Sequence, residues 1–232
     1  MKIFLSGTPW PVIIIIAGFV IAIILTQVFS AKNVILRTLK KLPSRSINGV
    51  KSNEFVKIHG KALHANEPLL APLSRRKCVF YSIKIEQKKG SGKNSHWKTL
   101  VQEERYQDFF VEKNGELLLI KPTKNPLNYI NYLVTDKETD SGTFNDPTPE
   151  FERLLSQYDI SSTGLFGFNK SLRYTEGIIS VGERITVAGK VSWKTLNEPI
   201  PEYPYSKIAQ LEADGKQKII ITDLPEAQKT TI

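Results

Sequence analysis

Between Lys2 and Lys32 the chain carries no charged residue, and from Val12 to Phe29 only Gly18, Thr26 and Gln27 interrupt an aliphatic run. A hydrocarbon core about 30 Å thick needs roughly 20 helical residues. The stretch therefore predicts one transmembrane helix over 12–31, behind a short tail over 1–11. Trp10 and Phe29 stand near its two ends, where aromatic rings favour the headgroup layer. A cleaved signal peptide is the rival reading, with Ser30 and Ala31 as small residues near a cleavage site. Such a peptide wants a basic start and an apolar run of roughly 7 to 15 residues, and this run is longer.

Orientation follows from the flanks, because cytoplasmic ends carry the Lys and Arg excess. Lys2 precedes the helix, whereas Lys32, Arg37, Lys40, Lys41 and Arg45 follow it, so the rest of the chain is expected on the cytoplasmic side of a membrane. The net charge of +9 is unevenly spread. From Lys32 to Arg105 there are 17 Lys and Arg against 5 Asp and Glu; from Tyr106 onward there are 14 against 18. Anionic headgroups attract basic residues by about 1 kcal/mol each near the surface, which makes Arg37, Lys40, Lys41 and Arg45 the expected headgroup contacts. Nucleic acid is not expected as a partner, since neither an RNA-recognition strand nor a basic recognition helix stands out. One cysteine, Cys78, excludes an intramolecular disulfide framework.

After the span, 32–53 reads as a basic juxtamembrane helix and linker. Ile35, Leu39 and Leu42 fall on one face before Pro43, and two readings stay open: the last turns of the membrane helix, or a separate interfacial helix. From 54 to 222 the texture is β, with strands expected over Phe55–Leu63, Cys78–Gln87, Trp97–Glu103, Phe109–Val111, Glu116–Ile120, Ser171–Ile179, Arg184–Ser192 and Lys218–Thr222. Asn114-Gly115 signals a tight hairpin. Phe151, Leu154, Leu155 and Tyr158 recur at helical spacing behind Thr148 and Pro149, which predicts one packed helix. Leu165, Phe166 and Phe168 form a loop in need of cover. The segments Val56–Ala62 and Ile185–Val191 share their apolar alternation and a Gly-Lys pair, a hint of two related halves, and a strand glycine suits a barrel corner. A polar tail is expected over 223–232. The fold expected is mainly β (α+β): an antiparallel sheet or partly open barrel with one packed helix.

No residue pattern nominates catalytic chemistry. Gly90-Ser91-Gly92-Lys93 lacks the spacing of a phosphate loop. His59, His64, His96 and Cys78 show no zinc-ligand spacing, and Cys78 on a strand reads as a small buried hydrophobe. Neither a cofactor nor a metal is expected. Leu69, Leu70 and Leu73 around Pro68 and Pro72 read as a core plug or as a docking surface.

Several pieces then line up in order: His59-Gly60-Lys61-Ala62; Leu70-Ala71-Pro72-Leu73-Ser74; Cys78-Val79-Phe80-Tyr81; Trp97; Arg173-Tyr174-Thr175-Glu176-Gly177; and Val181-Gly182-Glu183 running on to Gly189. Together they resemble the GIDE/MULAN family, whose "beside a membrane" (BAM, or GIDE) domain adjoins transmembrane helices. The resemblance spans Phe55 to Thr222 and rests on Gly60, Pro72, Cys78, Tyr81, Trp97, Glu176, Gly182 and Gly189. In eukaryotic members it implies a membrane-bound E3 ubiquitin ligase whose chemistry lies in a zinc-binding RING. The eight Cys and His ligands of a RING have no counterpart after Thr222, so the chain looks like a RING-less, prokaryotic-type relative. The function expected is a single-pass, membrane-tethered protein-interaction module with no catalysis of its own, its partners being anionic lipid and a further protein; the alternative is an E3 ubiquitin-protein ligase that lacks its own RING.

Overall fold

The computed structural model describes residues 10–164, 167–200, 203–215 and 217–229. Two helices come first, α1 (Trp10–Val28) and α2 (Ala31–Lys41). Next are β1 (Phe55–His64), β2 (Leu69–Leu70), β3 (Lys77–Lys89), β4 (His96–Tyr106), β5 (Phe109–Lys113), β6 (Glu116–Ile120), β7 (Tyr129–Tyr132) and β8 (Lys137–Ser141). Helix α3 (Pro149–Gln157) is followed by β9 (Leu172–Ser180), β10 (Arg184–Thr195), β11 (Lys207–Glu212), β12 (Ile219–Thr222) and the short α4 (Pro225–Gln228). With 45% strand and 20% helix the chain is mainly β.

Strands β1, β5, β6, β11 and β10 close on themselves as a barrel, and β12 and β7 continue the sheet outward from β10. The expected mainly β fold, an antiparallel sheet or partly open barrel, is met in its coarse form, since the second sheet is antiparallel throughout, and is corrected in detail. The barrel is closed, and β6–β11 and β7–β12 pair in parallel. Closure depends on β1 serving two neighbours. Its residues Phe55–Lys61 pair with Lys190–Arg184 of β10, and Lys61–His64 pair with Glu112–Phe109 of β5. Gly60 sits at the changeover, where a Cβ would stand 2.4 Å from the Glu112 carbonyl oxygen and 2.6 Å from Val111 Cγ1. The echoing segments are thus not two halves but adjacent staves of one barrel. Gly60 faces Ile185 and Gly189 faces Val56. Val56, Ile58, Ala62, Ile185, Val187 and Val191 fill the interior, at about 1.5–3 kcal/mol for each large aliphatic side chain.

The second sheet runs β8, β9, β3, β4, with β2 beside the start of β3. A register shift between Cys78 and Phe80 lets consecutive Val79 and Phe80 both join the barrel core. Cys78, Tyr81, Ile83 and Ile85 turn instead to the opposite face, under Phe151, Leu154 and Leu155 of α3. That helix starts as its sequence dictates. Thr148 Oγ1 accepts from the Phe151 amide at 3.2 Å, and Pro149 takes the first helical position.

The N-terminal region differs most from expectation. Among the described residues no helix is long and apolar enough to cross a membrane. The helix expected over 12–31 instead spans Trp10–Val28, because Ser30 begins a new helix by accepting from the Asn33 amide. The tail expected over 1–11 lies mostly outside the described residues, as do the side chains of Pro11, Ile23, Ile24, Leu25 and Gln27. Helix α2 is not an extension of α1. It docks on the barrel, burying Ile35 and Leu39 against Ala188, Ile220, Leu224 and Ala227. Two segments read as polar connections are packed as well. Ile47 and Val50 of the linker enter the barrel core, and Leu224 and Ala227 of the expected tail cover α2.

The closing contact yields a stability prediction. Gly60→Ala forces a methyl group into the β5 backbone and should cost about 2–3 kcal/mol, the range of an overpacked core. Gly182→Ala, at φ +86° with open space around it, should cost only about 1 kcal/mol, from backbone strain alone. Chemical denaturation of the two variants in one detergent checks the order.

Candidate functional site

Of the residues singled out in the sequence, Pro72 and Cys78 lie beside one buried carboxylate, Glu176. Glu176 on β9 is fully buried and accepts from the amides of Leu73 (2.9 Å) and Ser74 (3.2 Å) and from the Tyr174 hydroxyl (2.7 Å). It thereby fixes the loop that Pro72 opens, whose Ala71 is buried and whose Leu69 and Leu73 pack against the α3 core. Only Leu70 of that loop is left exposed. Cys78 lies in the same core. Its thiol donates to the Leu69 carbonyl, and burial first, then the Glu176 charge, pushes it up to about 12. A thiol so held carries no thiolate at neutral pH and is no nucleophile.

Tyr81 and Tyr158 donate to the two oxygens of Glu103, and Tyr129 donates to Glu104. Burial is the first cause raising all three phenols. Trp97 receives the Arg173 guanidinium 4.3 Å from its ring centroid, while Arg173 also pairs with the buried Glu86. Gly182 forms the β9–β10 turn, and its amide donates to the Ala62 carbonyl. These positions hold the two sheets together; they do not converge on a reacting centre. His59, His64 and His96 lie apart on β1 and β4, and no cluster of three or more His, Cys, Asp or Glu fit for a metal occurs among the described residues.

Two surfaces do converge. The first is the corner between α1 and α2. Arg37 donates from Nη2 to the Val28 carbonyl at 2.5 Å and from Nε to the Asn33 carbonyl, so a cation closes the C-terminal end of α1. Lys40 and Lys41 end α2 exposed, while Arg45 pairs with Glu54 at 3.0 Å. The four basic residues expected to act together therefore divide, with Arg37 and Arg45 engaged by the protein and Lys40 and Lys41 projecting. Beside them α1 presents Ile14, Ile15 and Phe19, each at least 64% exposed.

The second surface was not foreseen as a unit. Seven carboxylates against two cations lie between Asp136 and Asp159. There the turn 142–145 lifts Phe144 fully into solvent, and the neighbouring turn carries Phe168, 67% exposed. The Asn169 side chain donates to Asp146, and the Ser141 hydroxyl to the Lys170 carbonyl, which ties the two turns together. Phe168 is uncovered, whereas Leu165 and Phe166 fall outside the described residues. The signal in the sequence was a phenylalanine at a Gly-Thr-Phe-Asn turn, where no core can reach it.

A third cluster affects stability. Asp223 is buried, accepts from the Val134 amide, and is pushed up to about 7 by burial first and by Glu183 and Asp136 as further negative charges. No protein-family model, curated protein or solved structure matches the chain.

A carboxyl raised from 3.8 to about 7 holds its proton more tightly in the native state. Its contribution is therefore fully present below about pH 4 and is lost as pH rises through 7, by at most about 4 kcal/mol. Asp223→Asn keeps an acceptor for Val134 and removes the charge. Its denaturant midpoint should gain on wild type steadily between pH 4 and 8, and a constant offset would count against this assignment.

Proposed function

We propose that this chain is a membrane-tethered protein-interaction module, held by α1 at the cytoplasmic surface of a membrane and presenting the acidic, Phe-tipped turns to a protein partner. No catalytic step belongs to this reading. The observation that carries it is the pairing of an uncovered apolar helix with a buried amphipathic one. Helix α1 has nineteen residues and no charge in its sequence, and its described large side chains, Ile14, Ile15 and Phe19 among them, are exposed. In water such a face would be strongly unfavourable, at about 25 cal/mol per Å²; lipid removes that cost. Phe29 and Ser30 alone separate it from α2, and the exposed Lys40 and Lys41 support both headgroup attraction and cytoplasmic placement. On the second surface, the acidic stretch 136–159 and two exposed aromatic tips suit a partner with a basic, apolar face.

Removing residues 1–29, which leaves the Ser30 cap intact, should move the protein into the soluble fraction; material still resisting salt and alkali would point to another insertion element. In the full chain, Lys40→Gln with Lys41→Gln should weaken retention by anionic vesicles by about 2 kcal/mol at low salt. Arg45→Gln should change it far less. Protease added outside intact cells should spare the domain, and cleavage there would reverse the orientation.

Phe144→Ser together with Phe168→Ser should leave the melting temperature within about 1 °C, since exposed positions contribute little to stability. The same pair should abolish crosslinking to the partner in membranes. Retained crosslinks would move the docking surface elsewhere.

A further inference from the structure

On the outer faces of β1 and β10 lies a groove of ≈480 Å³ that none of the surfaces above uses, lined by His59, Lys61, Lys113 and Arg184 among others. Outward-facing residues pair across the two strands, His59 with Thr186 and Lys61 with Arg184. Like charges placed directly opposite destabilise a sheet, yet neither Lys61 nor Arg184 has an ion pair among the described residues. Lys113 adds a third cation, whose ammonium spends one donor on the Arg45 carbonyl and keeps two. The one carboxylate on the rim, Glu112, is turned toward the β5–β6 turn by accepting from the Gly115 amide at 2.8 Å.

At the floor the His59 Nδ1 lies 2.8 Å from the Thr186 hydroxyl, and its Nε2 is buried without any partner. Burial first, then the charges of Lys57 and Lys113, holds the imidazole down to about 4, so it stays neutral under physiological conditions. Three cations lining one groove, none of them balanced by an ion pair among the described residues, make a costly arrangement that an anionic acceptor would relieve.

We propose that this groove binds a phosphomonoester, with Lys61, Lys113 and Arg184 compensating its charge and donating to its oxygens, and with the His59 ring as part of the lining. The ester is either a free small molecule or the headgroup of an acidic lipid. Both offer the same tetrahedral array of acceptors.

The chain has three histidines, which makes ¹⁵N imidazole spectra of the full chain in neutral-detergent micelles a direct readout. Inorganic phosphate and glycerol phosphate are titrated at constant ionic strength, and phosphatidylcholine nanodiscs are compared with and without phosphatidic acid. The expected result is a saturating shift of the His59 nitrogens with His64 and His96 unmoved, in the soluble titrations, in the phosphatidic acid nanodiscs, or in both. Which arm responds identifies the source. Lys61→Gln with Arg184→Gln, both at exposed positions, should weaken binding about tenfold or more; Lys113→Gln serves as the independent variant should the double one lose its fold. Silence of His59 in every arm, equal drift of all three histidines, or unchanged affinity in the variants would overturn the site.

Discussion

One strand bonded to two neighbours in succession is the contact on which the architecture rests. Where β1 leaves β10 for β5, two backbones approach so closely that no side chain fits at Gly60. With that approach the barrel closes and has no free edge to protect. The intervening chain then leaves the barrel twice, between β1 and β5 and between β6 and β10, and the two excursions pair with each other as the second sheet. Strand β3 is what makes them one body. Its bulge sends Val79 and Phe80 to the barrel and Tyr81, Ile83 and Ile85 to α3.

The second sheet and its junction with the barrel are held by carboxylates, Glu176 fully buried and Glu103 and Glu104 half-buried, as much as by hydrocarbon. Glu176, Glu103 and Glu104 each accept two or more hydrogen bonds from amides, phenols or an amide side chain. Removing one acceptor leaves several donors without a partner, at about 1–3 kcal/mol for each that is buried. The residues singled out in the sequence are likewise mostly structural. Gly60 permits a contact, Glu176 fixes a loop, and Trp97 stacks on an arginine whose partner is Glu86.

Much of this was legible in the sequence because the signals are local. The Asn114-Gly115 turn takes the left-handed conformation at both residues, φ +55° and +81°. The Thr148 and Pro149 helix start and the alternation of β1 and β10 are equally plain. What escaped the sequence depends on tertiary placement. Tyr129–Tyr132 and Lys137–Ser141 are short and polar, and they become strands only because β12 and β9 offer free edges. Ile47, Val50, Leu224 and Ala227 are isolated apolar residues in polar stretches; no periodicity marks them, and only the assembled barrel gives them a hole to fill. The candidate surfaces were legible by half. Basic residues after the apolar run were visible as a group, but their division between protein and solvent was not. Phe144 and Phe168 are 24 positions apart, and their turns are tied together through Asp146 with Asn169 and Ser141 with Lys170.

The docking of α2 has a consequence for encounter rates. A flexible tether would let the domain sample a broad shell above the membrane and dilute its binding face accordingly. With two residues between α1 and a helix whose Ile35 and Leu39 are locked into the barrel, a domain anchored as proposed would carry its face at one height and one tilt, free chiefly to drift sideways and to spin. A partner confined to the same sheet of lipid would then meet it in two dimensions and already half aligned, so even weak complementarity at the acidic turns would suffice for occupancy, through effective concentration instead of tight contact.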